Sequence, residues 1–272
     1  MNRAPATAKL NLALVVGPLR DDGRHEVVTV LQRIDVVDRV AIERAETLQV
    51  DGFADDTLVR AALTTLAEDA GVEPRWKARI WKYVPVAAGL GGGSSDAATA
   101  LRLANETLEQ PLPPKRLRDL SATLGADVPF FLTAGPQLGT GTGTELAPLE
   151  LPQDYWIVLL LPSDARKSST ADVYEDFDRR DGGAGFEQRR ADLDRALAAA
   201  RRPRDLAALP PNDLASSPHS EKLLQLGAFR ADLSGAGPTV YGLFLHRGPA
   251  LAAERELRPH GRTWLTVPTW YG

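Results

Sequence analysis

The feature that constrains this chain most is the run Pro85-Val86-Ala87-Ala88-Gly89-Leu90-Gly91-Gly92-Gly93-Ser94-Ser95-Asp96-Ala97-Ala98. Its glycines allow sharp turns that residues with a Cβ atom avoid, and at Gly92 we expect a left-handed conformation that valine could not adopt. Residues 75–84 are rich in Trp, Ile, Tyr and Val and predict a strand that Pro85 ends. The serine pair that follows the glycines consists of good N-cap residues, which predicts a helix beginning beside Asp96.

A strand, a glycine loop and a helix N-terminus present free backbone N–H groups to an anion, so the run predicts a phosphate-binding loop. It is not a P-loop, because no lysine follows the glycines, and Ser94 stands where a dinucleotide-binding fingerprint needs its third glycine. A glycine-rich turn into an ordinary helix is the plainer alternative. The length of the run and the serine pair favour the phosphate site.

Composition narrows the class of protein without identifying it. The chain has 272 residues, of which 43% are hydrophobic and 25% charged, which fits a globular protein of one large or two modest domains. The net charge of −4 gives no reason to expect nucleic acid or an anionic membrane as a partner. Cysteine is absent and the four histidines are scattered, so we predict neither disulfides nor a zinc site, and we expect a cytoplasmic location.

Hydrophobic periodicity predicts an α+β chain in two parts, with domains at residues 1–150 and 151–272. Helices are expected to end at Gly71 and Gly125. The charged tract 178–204 is interpreted as one solvated helix. Strands are predicted at residues 9–16, 27–31, 38–44, 155–161, 230–234 and 239–245.

Four motifs in this chain resemble those of one enzyme family. The glycine run resembles the ATP loop of the superfamily of galactokinase, homoserine kinase, mevalonate kinase and phosphomevalonate kinase. Its triple glycine with Ser-Ser-Asp is similar to that of the members acting on a cytidine diphosphate conjugate of methylerythritol. The other motifs are Ala8-Lys9-Leu10-Asn11-Leu12, Leu-Gly-Ala-Asp-Val-Pro-Phe-Phe at 124–131 and Leu-Ser-Gly-Ala-Gly-Pro-Thr-Val at 233–240. They follow the family's order over essentially the whole chain.

The resemblance implies a fold and an activity. The fold would be α+β, with an N-terminal mixed-sheet domain that carries the ATP loop, a C-terminal ferredoxin-like domain, and the active site in the cleft between them. The activity would be ATP-dependent phosphorylation of the 2-hydroxyl of 4-diphosphocytidyl-2-C-methyl-D-erythritol, in non-mevalonate isoprenoid precursor synthesis. Mg²⁺ is expected on the ATP phosphates, because it neutralises their charge during transfer.

Lys9 and Asp127 are the predicted catalytic pair. Phosphoryl transfer without a P-loop lysine needs another cation and a base for the acceptor hydroxyl, and the resemblance assigns these roles to Lys9 and Asp127. Taken alone, Lys9 could be a strand-edge lysine that reaches water. Asp127 could likewise be a helix N-cap, because Pro129 follows two residues later.

The residues that bind ATP and the acceptor follow from the resemblance. The run from Pro85 to Asp96 would bind ATP, with Thr57 where the family usually has an asparagine that lines the adenine pocket. Asn11 and His25 match positions near the acceptor, and Tyr174 matches the aromatic residue that stacks on cytosine. Arg24 stands where the family usually has tyrosine. We expect its planar guanidinium to stack on the base instead, the alternative being an exposed side chain paired with a neighbouring aspartate.

Three features of the sequence can each be interpreted in two ways. Asp96 could contact Mg²⁺ through water or simply favour the positive end of its helix. Gly235 and Gly237 could face the phosphates, as the resemblance implies, or form a plain tight turn. The segment 135–144 could be a second ligand-facing loop or an ordinary glycine-rich hairpin. The sequence contains no dedicated carboxylate cage for a metal.

Two other functions compete with this interpretation. A sister kinase acting on homoserine or a mevalonate derivative would share the ATP loop, but His25 and the Ser-Ser-Asp ending argue against it. A non-catalytic nucleotide-binding module would also keep the loop, but the presence of both Lys9 and Asp127 disfavours it. An ADP-release assay with a panel of substrates distinguishes the three.

Overall fold

A computed structural model describes residues 2–165 and 169–269, and its strands form two sheets. In the first sheet, β1 (Asn2–Leu19) pairs antiparallel with β2 (His25–Arg44). The path of this sheet is β3-β4-β2-β5-β6, and β3 and β4 run parallel, so the sheet is mixed. Its other strands are β3 (Gln49–Asp51), β4 (Trp76–Trp81), β5 (Gln137–Thr140) and β6 (Glu145–Pro148).

Three helices pack with this sheet in one hydrophobic core: α1 (Leu58–Ala70), α2 (Gly92–Asn105) and α3 (Pro114–Leu124). The Asp56 carboxylate accepts hydrogen bonds from the N–H groups of Val59 and Arg60 at the start of α1. Gly71 ends this helix with a left-handed φ of 64°, and Gly125 follows the end of α3. The two helix ends expected from the sequence are confirmed.

The second sheet contains β7 (Trp156–Pro162), β8 (Arg230–Leu233), β9 (Val240–Phe244) and β10 (Gly261–Thr266). Its order is β10-β7-β9-β8, and every pairing is antiparallel. Helices α6 (Pro218–Gln225) and α7 (Arg247–Leu257) share a core with it. With helices between β7 and β8 and between β9 and β10, this is the ferredoxin-like arrangement expected for this half.

The strands of the two sheets meet in one shared core. Ile157, Leu159 and Tyr241 of the second sheet belong to the same buried cluster as Leu10 and Leu12 of β1. The first sheet ends at Pro148 and the second begins at Trp156, while the domain boundary near residue 150 stays a prediction. Among the described helices, none combines the length and the apolar character needed to cross a membrane.

Two predictions about elements are wrong. The tract 178–204 is not one helix: α4 (Thr170–Arg179) and α5 (Phe186–Ala199) are separated by a turn in which Asp181 and Gly185 adopt φ values of 54° and 72°. The strands expected at 27–31 and 38–44 are parts of the single strand β2. The polar residues Gln32 and Arg33 continue it, because they pair with Leu10 and Lys9 of β1.

Candidate active site

A cavity of about 560 Å³ brings together residues of both halves of the chain. Its walls come from β1, the glycine loop, the segment that precedes the 3-10 helix Pro129–Leu132, the start of α4 and the β8–β9 turn. Ten of the site residues predicted from the sequence lie in these walls. They are Lys9, Asn11, Ala87, Gly89, Gly91, Ser94, Asp127, Tyr174, Gly235 and Gly237.

Lys9 is buried, with 4% of its surface exposed, so it is not a strand-edge lysine that reaches water. Its backbone N–H donates to the Leu90 carbonyl at 2.9 Å, which ties β1 to the glycine loop. Its Nζ donates to Asn11 Oδ1 at 2.5 Å and lies 3.4 Å from Oδ2 of Asp127. The structure therefore brings the two predicted catalytic residues together.

Asn11 holds the Lys9 ammonium in place through its own hydrogen bonds. The Asn11 amide nitrogen donates to Thr29 Oγ1 at 2.8 Å, and that hydroxyl donates to the Ala13 carbonyl at 2.8 Å. These bonds turn the amide oxygen of Asn11 toward Lys9. An ammonium has three hydrogens, so after Asn11 and Asp127 one N–H can still be donated to a ligand.

Asp127 does not cap the 3-10 helix that follows it. Val128 is the N-cap residue of that helix, and no side chain caps it. The Asp127 side chain is 38% exposed and lines the cavity, whereas the next residues, Val128 to Phe131, are buried. A buried apolar segment thus presents one carboxylate to the cavity beside the Lys9 ammonium.

The glycine loop turns through left-handed conformations and then starts α2. Gly89 and Gly91 have φ values of 79° and 68°, and Ala87 has 55°, a conformation that costs energy for a residue with a Cβ. The helix begins at Gly92, with Gly91 as its N-cap and no side chain capping it. The predictions that the serines cap the helix and that Gly92 is left-handed are wrong. The uncapped first turn leaves backbone N–H groups without intrahelical acceptors.

The β8–β9 turn packs directly against the glycine loop. A Cβ atom on Gly237 would lie 2.2 Å from the nitrogen of Gly89, so only glycine permits this approach. Ser234 Oγ donates to the Gly89 carbonyl at 2.8 Å and links the two loops. The Gly237 N–H donates to the Ser234 carbonyl at 3.2 Å, so the segment is a tight turn and also lines the cavity.

The residues expected to bind the acceptor lie in different surroundings. Tyr174 lines the cavity, and burial raises its pKa to about 12, with a further contribution from the negative charge of Asp127. His25 is 7% exposed, and its ring stacks on Tyr174 with centroids 5.1 Å apart and planes at 28°. The His25 Nδ1–H donates to the Gly17 carbonyl at 2.9 Å. Arg24 is exposed in the turn before β2 and does not line the cavity.

A second cavity, of about 580 Å³, shares the glycine loop. Thr57, Val86 and Gly93 line it together with Phe53. The remaining predicted ATP-binding residues of the run line neither cavity: Ala88, Leu90, Gly92, Ser95 and Asp96 are buried, and Pro85 lies at its start. The segment 135–144 forms the β5–β6 hairpin, which confirms the hairpin interpretation. Its tip, Thr142 and Gly143, lines the first cavity, and contact with a ligand there stays a prediction.

A buried ion-pair cluster lies behind the glycine loop, and the sequence did not reveal it. Lys82 Nζ donates to Oδ2 of Asp96 at 2.8 Å and also to the carboxylate of Asp38. The other Asp38 oxygen accepts the N–H of Val84 at 2.8 Å, just before the loop. Burial raises the pKa of Asp96 to about 7, with Asp38 adding to the shift and Lys82 opposing it. Asp96 therefore faces Lys82 and not the cavity.

This arrangement combines four chemical capabilities in one place. The uncapped start of α2 can receive a phosphate group, because its N–H groups and dipole favour an anion. Lys9 supplies a cation, and Asp127 supplies a carboxylate 3.4 Å from it that can accept a proton. Tyr174 supplies an aromatic wall. Together these groups suit phosphoryl transfer to a hydroxyl group.

Comparisons with known sequences agree with this chemistry. The family model for the GHMP kinases N terminal domain matches residues 57–135, and the model for the GHMP kinases C terminal matches residues 220–263. A 4-diphosphocytidyl-2-C-methyl-D-erythritol kinase of Geobacter sulfurreducens is 37% identical, over 96% of each chain. One of Chlorobium phaeobacteroides is 36% identical, over 97% of this chain and 96% of the relative.

Solved structures with the same overall shape include enzymes of several specificities. A crystal structure of 4-(cytidine 5'-diphospho)-2C-methyl-D-erythritol kinase superimposes with a TM-score of 0.80 at 30% identity, covering 100% of both chains. A mevalonate kinase superimposes with a TM-score of 0.75 at 14% identity, over 98% of this chain and 99% of the other. At 14% identity, the similarity to this mevalonate kinase shows a shared fold and nothing more.

Proposed function

This chain belongs to the family of 4-diphosphocytidyl-2-C-methyl-D-erythritol kinases, within the GHMP kinases, and we propose that it phosphorylates the 2-hydroxyl of that compound with ATP. The observation that carries the proposal is the Lys9–Asp127 pair beside the uncapped start of α2. The sister kinases acting on homoserine or mevalonate are not favoured, because curated relatives at 33–37% identity over nearly the whole chain carry the cytidyl name.

In the proposed reaction, the glycine loop binds the phosphates of ATP and Asp127 acts as the base. The acceptor oxygen forms a bond to the γ-phosphorus while the bond from that phosphorus to the β–γ bridging oxygen breaks, which releases ADP. The proton of the acceptor hydroxyl passes to the Asp127 carboxylate. Lys9 donates its remaining N–H to the transferred group, where negative charge is spread over three oxygens, and so stabilises the transition state.

We propose that Mg²⁺ enters with ATP and supplies charge neutralisation on the phosphates. Residues 2–165 and 169–269 contain no group of three His, Cys, Asp or Glu side chains that could hold a metal ion. Asp96 does not fit the role, since it is buried against Lys82. Ser94 and Asp127 line the cavity and would face a metal held mainly by phosphate and water.

We also propose that Tyr174 contacts the cytidyl group and that the second cavity, with Thr57, holds the adenine of ATP. The contact of Tyr174 with the cytidyl group is supported by the position of this residue in the cavity wall. The His25 ring also stacks on the Tyr174 ring, with centroids 5.1 Å apart. An aromatic face is suited to an unstacked base. The cavity beside Thr57 is supported by its position against Val86 and Gly93 of the glycine loop. A cytoplasmic location remains part of the proposal.

A coupled ADP-release assay tests the proposed function directly. We expect the cytidyl substrate to give a kcat/KM at least about a hundredfold above those of homoserine and mevalonate, because a site that hydrogen-bonds its substrate rejects compounds lacking those groups. Asp127→Asn should abolish most of the rate with the cytidyl substrate. Equal or faster turnover of homoserine or mevalonate would contradict the proposal.

A further inference from the structure

Arg33 is a buried cation to which the proposed reaction gives no role. It lies on β2, directly opposite Lys9 in the antiparallel pairing with β1. Residues directly opposite each other in such a pair project to the same face of the sheet. Like charges in that position are unfavourable, and burying a guanidinium carries a large desolvation cost. Arg33 is only 3% exposed, so strong interactions must compensate.

The compensating interactions are with the segment that carries Asp127. Arg33 Nη2 donates to the Phe130 carbonyl at 3.1 Å, within the 3-10 helix Pro129–Leu132, and to the Thr133 carbonyl at 2.6 Å, just after it. Its Nη1 lies 3.5 Å from Thr7 Oγ1. The guanidinium also lies over the rings of Phe130 and Phe131, at 5.4 and 5.6 Å.

The guanidinium keeps its charge in this environment. Burial and, to a smaller extent, the charge of Arg102 together lower the pKa of Arg33 to about 10. Arg33 is therefore still a cation at neutral pH. Hydrogen bonds from a charged donor are stronger than neutral ones, and two of them from one planar group fix both position and direction.

The same segment is held at its other end by Lys9. Lys9 Nζ lies 3.4 Å from the Asp127 carboxylate, and Arg33 holds the carbonyls of the residues three and six positions later. The Phe131 ring also packs against the glycine loop, where a Cβ on Gly91 would lie 3.0 Å from Phe131 Cζ. Lys9 on β1 and Arg33 on the neighbouring strand β2 thus both hold the short segment that carries Asp127, the proposed base.

We infer that Arg33 is a positioning residue that holds the segment 127–133 so that Asp127 stays beside Lys9. Arg33 does not line the cavity, so it acts through Asp127 and not on the substrate. The inference rests on the proposed function, since it assumes Asp127 is the base. A displacement of about 1 Å in a reacting group can cost roughly a hundredfold in rate. The loss should appear in kcat, because Arg33 does not form the phosphate-binding turn.

The test compares Arg33→Met and Arg33→Lys with wild type. We expect Arg33→Met to lower kcat with the cytidyl substrate by about ten- to a hundredfold, while the KM for ATP and the ATP-induced rise in melting temperature change little. Arg33→Lys keeps the charge but loses the planar Nη2 group whose two hydrogens point at the Phe130 and Thr133 carbonyls, so its kcat should lie between those of wild type and Arg33→Met. In hydrogen–deuterium exchange, peptides covering residues 125–134 should exchange faster in Arg33→Met.

The controls separate positioning from loss of stability. Leu66→Ala and Ile42→Val remove buried atoms from α1 and β2, in the core that also contains Val128 and Phe130, and leave the residues of the segment 127–133 and its hydrogen bonds to Arg33 unchanged. The one whose melting temperature matches that of Arg33→Met should keep the wild-type kcat. An Arg33→Met or Arg33→Lys protein with wild-type kcat and unchanged exchange at 125–134 would overturn the inference. If wild type itself does not turn over the cytidyl substrate, the proposed function fails, while the exchange measurement still tests whether Arg33 holds the segment.

Discussion

At the scale of single residues, Lys9 and Asp127 form one functional unit. Their charged groups lie 3.4 Å apart, and Asn11 fixes the Lys9 ammonium at 2.5 Å. Lys9→Met and Asp127→Asn should each lower kcat by roughly a hundred- to ten-thousandfold. Because each residue needs the other, the double variant should lose far less than the product of the two single losses, as measured by steady-state kinetics.

The chain offers a matched control for this pair. Lys77 Nζ and Asp51 Oδ2 are also 3.4 Å apart, but both side chains are well exposed on β4 and β3, away from the cavity. Lys77→Met and Asp51→Asn should leave kcat unchanged, because exposed pairs contribute little. Fully multiplicative losses for Lys9→Met and Asp127→Asn would mean that the two residues act at separate places.

Arg24 remains a prediction about substrate recognition. Its side chain is exposed and lies outside the cavity wall, one residue before His25. If the guanidinium covers the cytosine when the substrate binds, Arg24→Ala should raise the KM for the cytidyl substrate about tenfold to a hundredfold, with the KM for ATP unchanged. Arg24→Tyr should restore most of the loss. A cytidyl KM within about twofold of wild type for Arg24→Ala would support a solvent-facing side chain.

Residues differ in how well the sequence reveals them. Lys9 and Asp127 could be predicted because each stands in a motif with a recognisable pattern. The cluster of Asp38, Lys82 and Asp96 could not be predicted, since its members come from β2, the end of β4 and α2 and share no local pattern. Arg33 is another such case: nothing in the sequence separates a buried arginine from an exposed one.

At the scale of elements, the fit between the glycine loop and the β8–β9 turn depends on the absence of side chains. Gly237→Ala would place a Cβ 2.2 Å from the Gly89 nitrogen, and backbone atoms cannot move aside cheaply. We expect this variant to lose about 1–3 kcal/mol of stability and most of the rise in melting temperature that ATP gives wild type. Thermal unfolding with and without Mg²⁺-ATP measures both effects.

Gly248→Ala is the matched control for Gly237→Ala. Gly248 lies in α7, and apart from its chain neighbours and the backbone of its own helix no atom lies within 4 Å of the Cβ that alanine would add. This variant should keep both its melting temperature and its response to ATP. A Gly237→Ala protein with an unchanged ATP response would show that the two loops need not stay in contact for ATP to bind.

The ends of helices could be predicted where nearby residues alone determine them. The helices that end at Gly71 and Gly125 follow from local composition. The start of α2 was predicted too late, because serine is a good N-cap in general, whereas here Gly91 takes the cap position in a left-handed conformation. The break between α4 and α5 was missed because the charge pattern continues across a turn containing Gly182, Gly183 and Gly185.

At the scale of the whole molecule, the buried cluster should make stability depend on pH. The pKa of Asp96 rises from 3.8 to about 7 on folding, so between these values the folded state binds more protons than the unfolded state. Stability contributed by this group therefore falls as the pH rises through that range. Asp96→Asn cannot ionise, so its stability relative to wild type should increase between about pH 5 and about pH 8, as measured by urea unfolding.

Asp69, a carboxylate near the surface whose pKa shifts in the opposite direction, is the control for this measurement. Arg116 lowers the pKa of Asp69, so any stability that this group contributes is present above its ordinary pKa and is lost only as the medium becomes more acidic. The stability difference for Asp69→Asn should therefore be flat between about pH 5 and about pH 8. A flat difference for Asp96→Asn as well would show that burial does not raise the pKa of Asp96.

An α+β chain in two parts was predictable from hydrophobic periodicity, and the fold of each part from the family resemblance that the motifs carry. The glycine run and the segment around Asp127 belong to the first half, and the Gly235–Gly237 turn belongs to the second. Their meeting in one cavity depends on β1, whose Leu10 and Leu12 pack in the same cluster as Ile157 and Leu159 of β7. Such long-range packing has no signature in a single sequence.

The most direct test of the central claim is to identify the product of the reaction. Wild type is incubated with Mg²⁺-ATP and 4-diphosphocytidyl-2-C-methyl-D-erythritol, and the product is analysed by phosphorus NMR, with Asp127→Asn as the control. We expect one new phosphomonoester signal, from a phosphate on the 2-hydroxyl, that forms in step with ADP and is absent with Asp127→Asn. ADP formation without that phosphomonoester, or an equal yield from Asp127→Asn, would contradict the central claim.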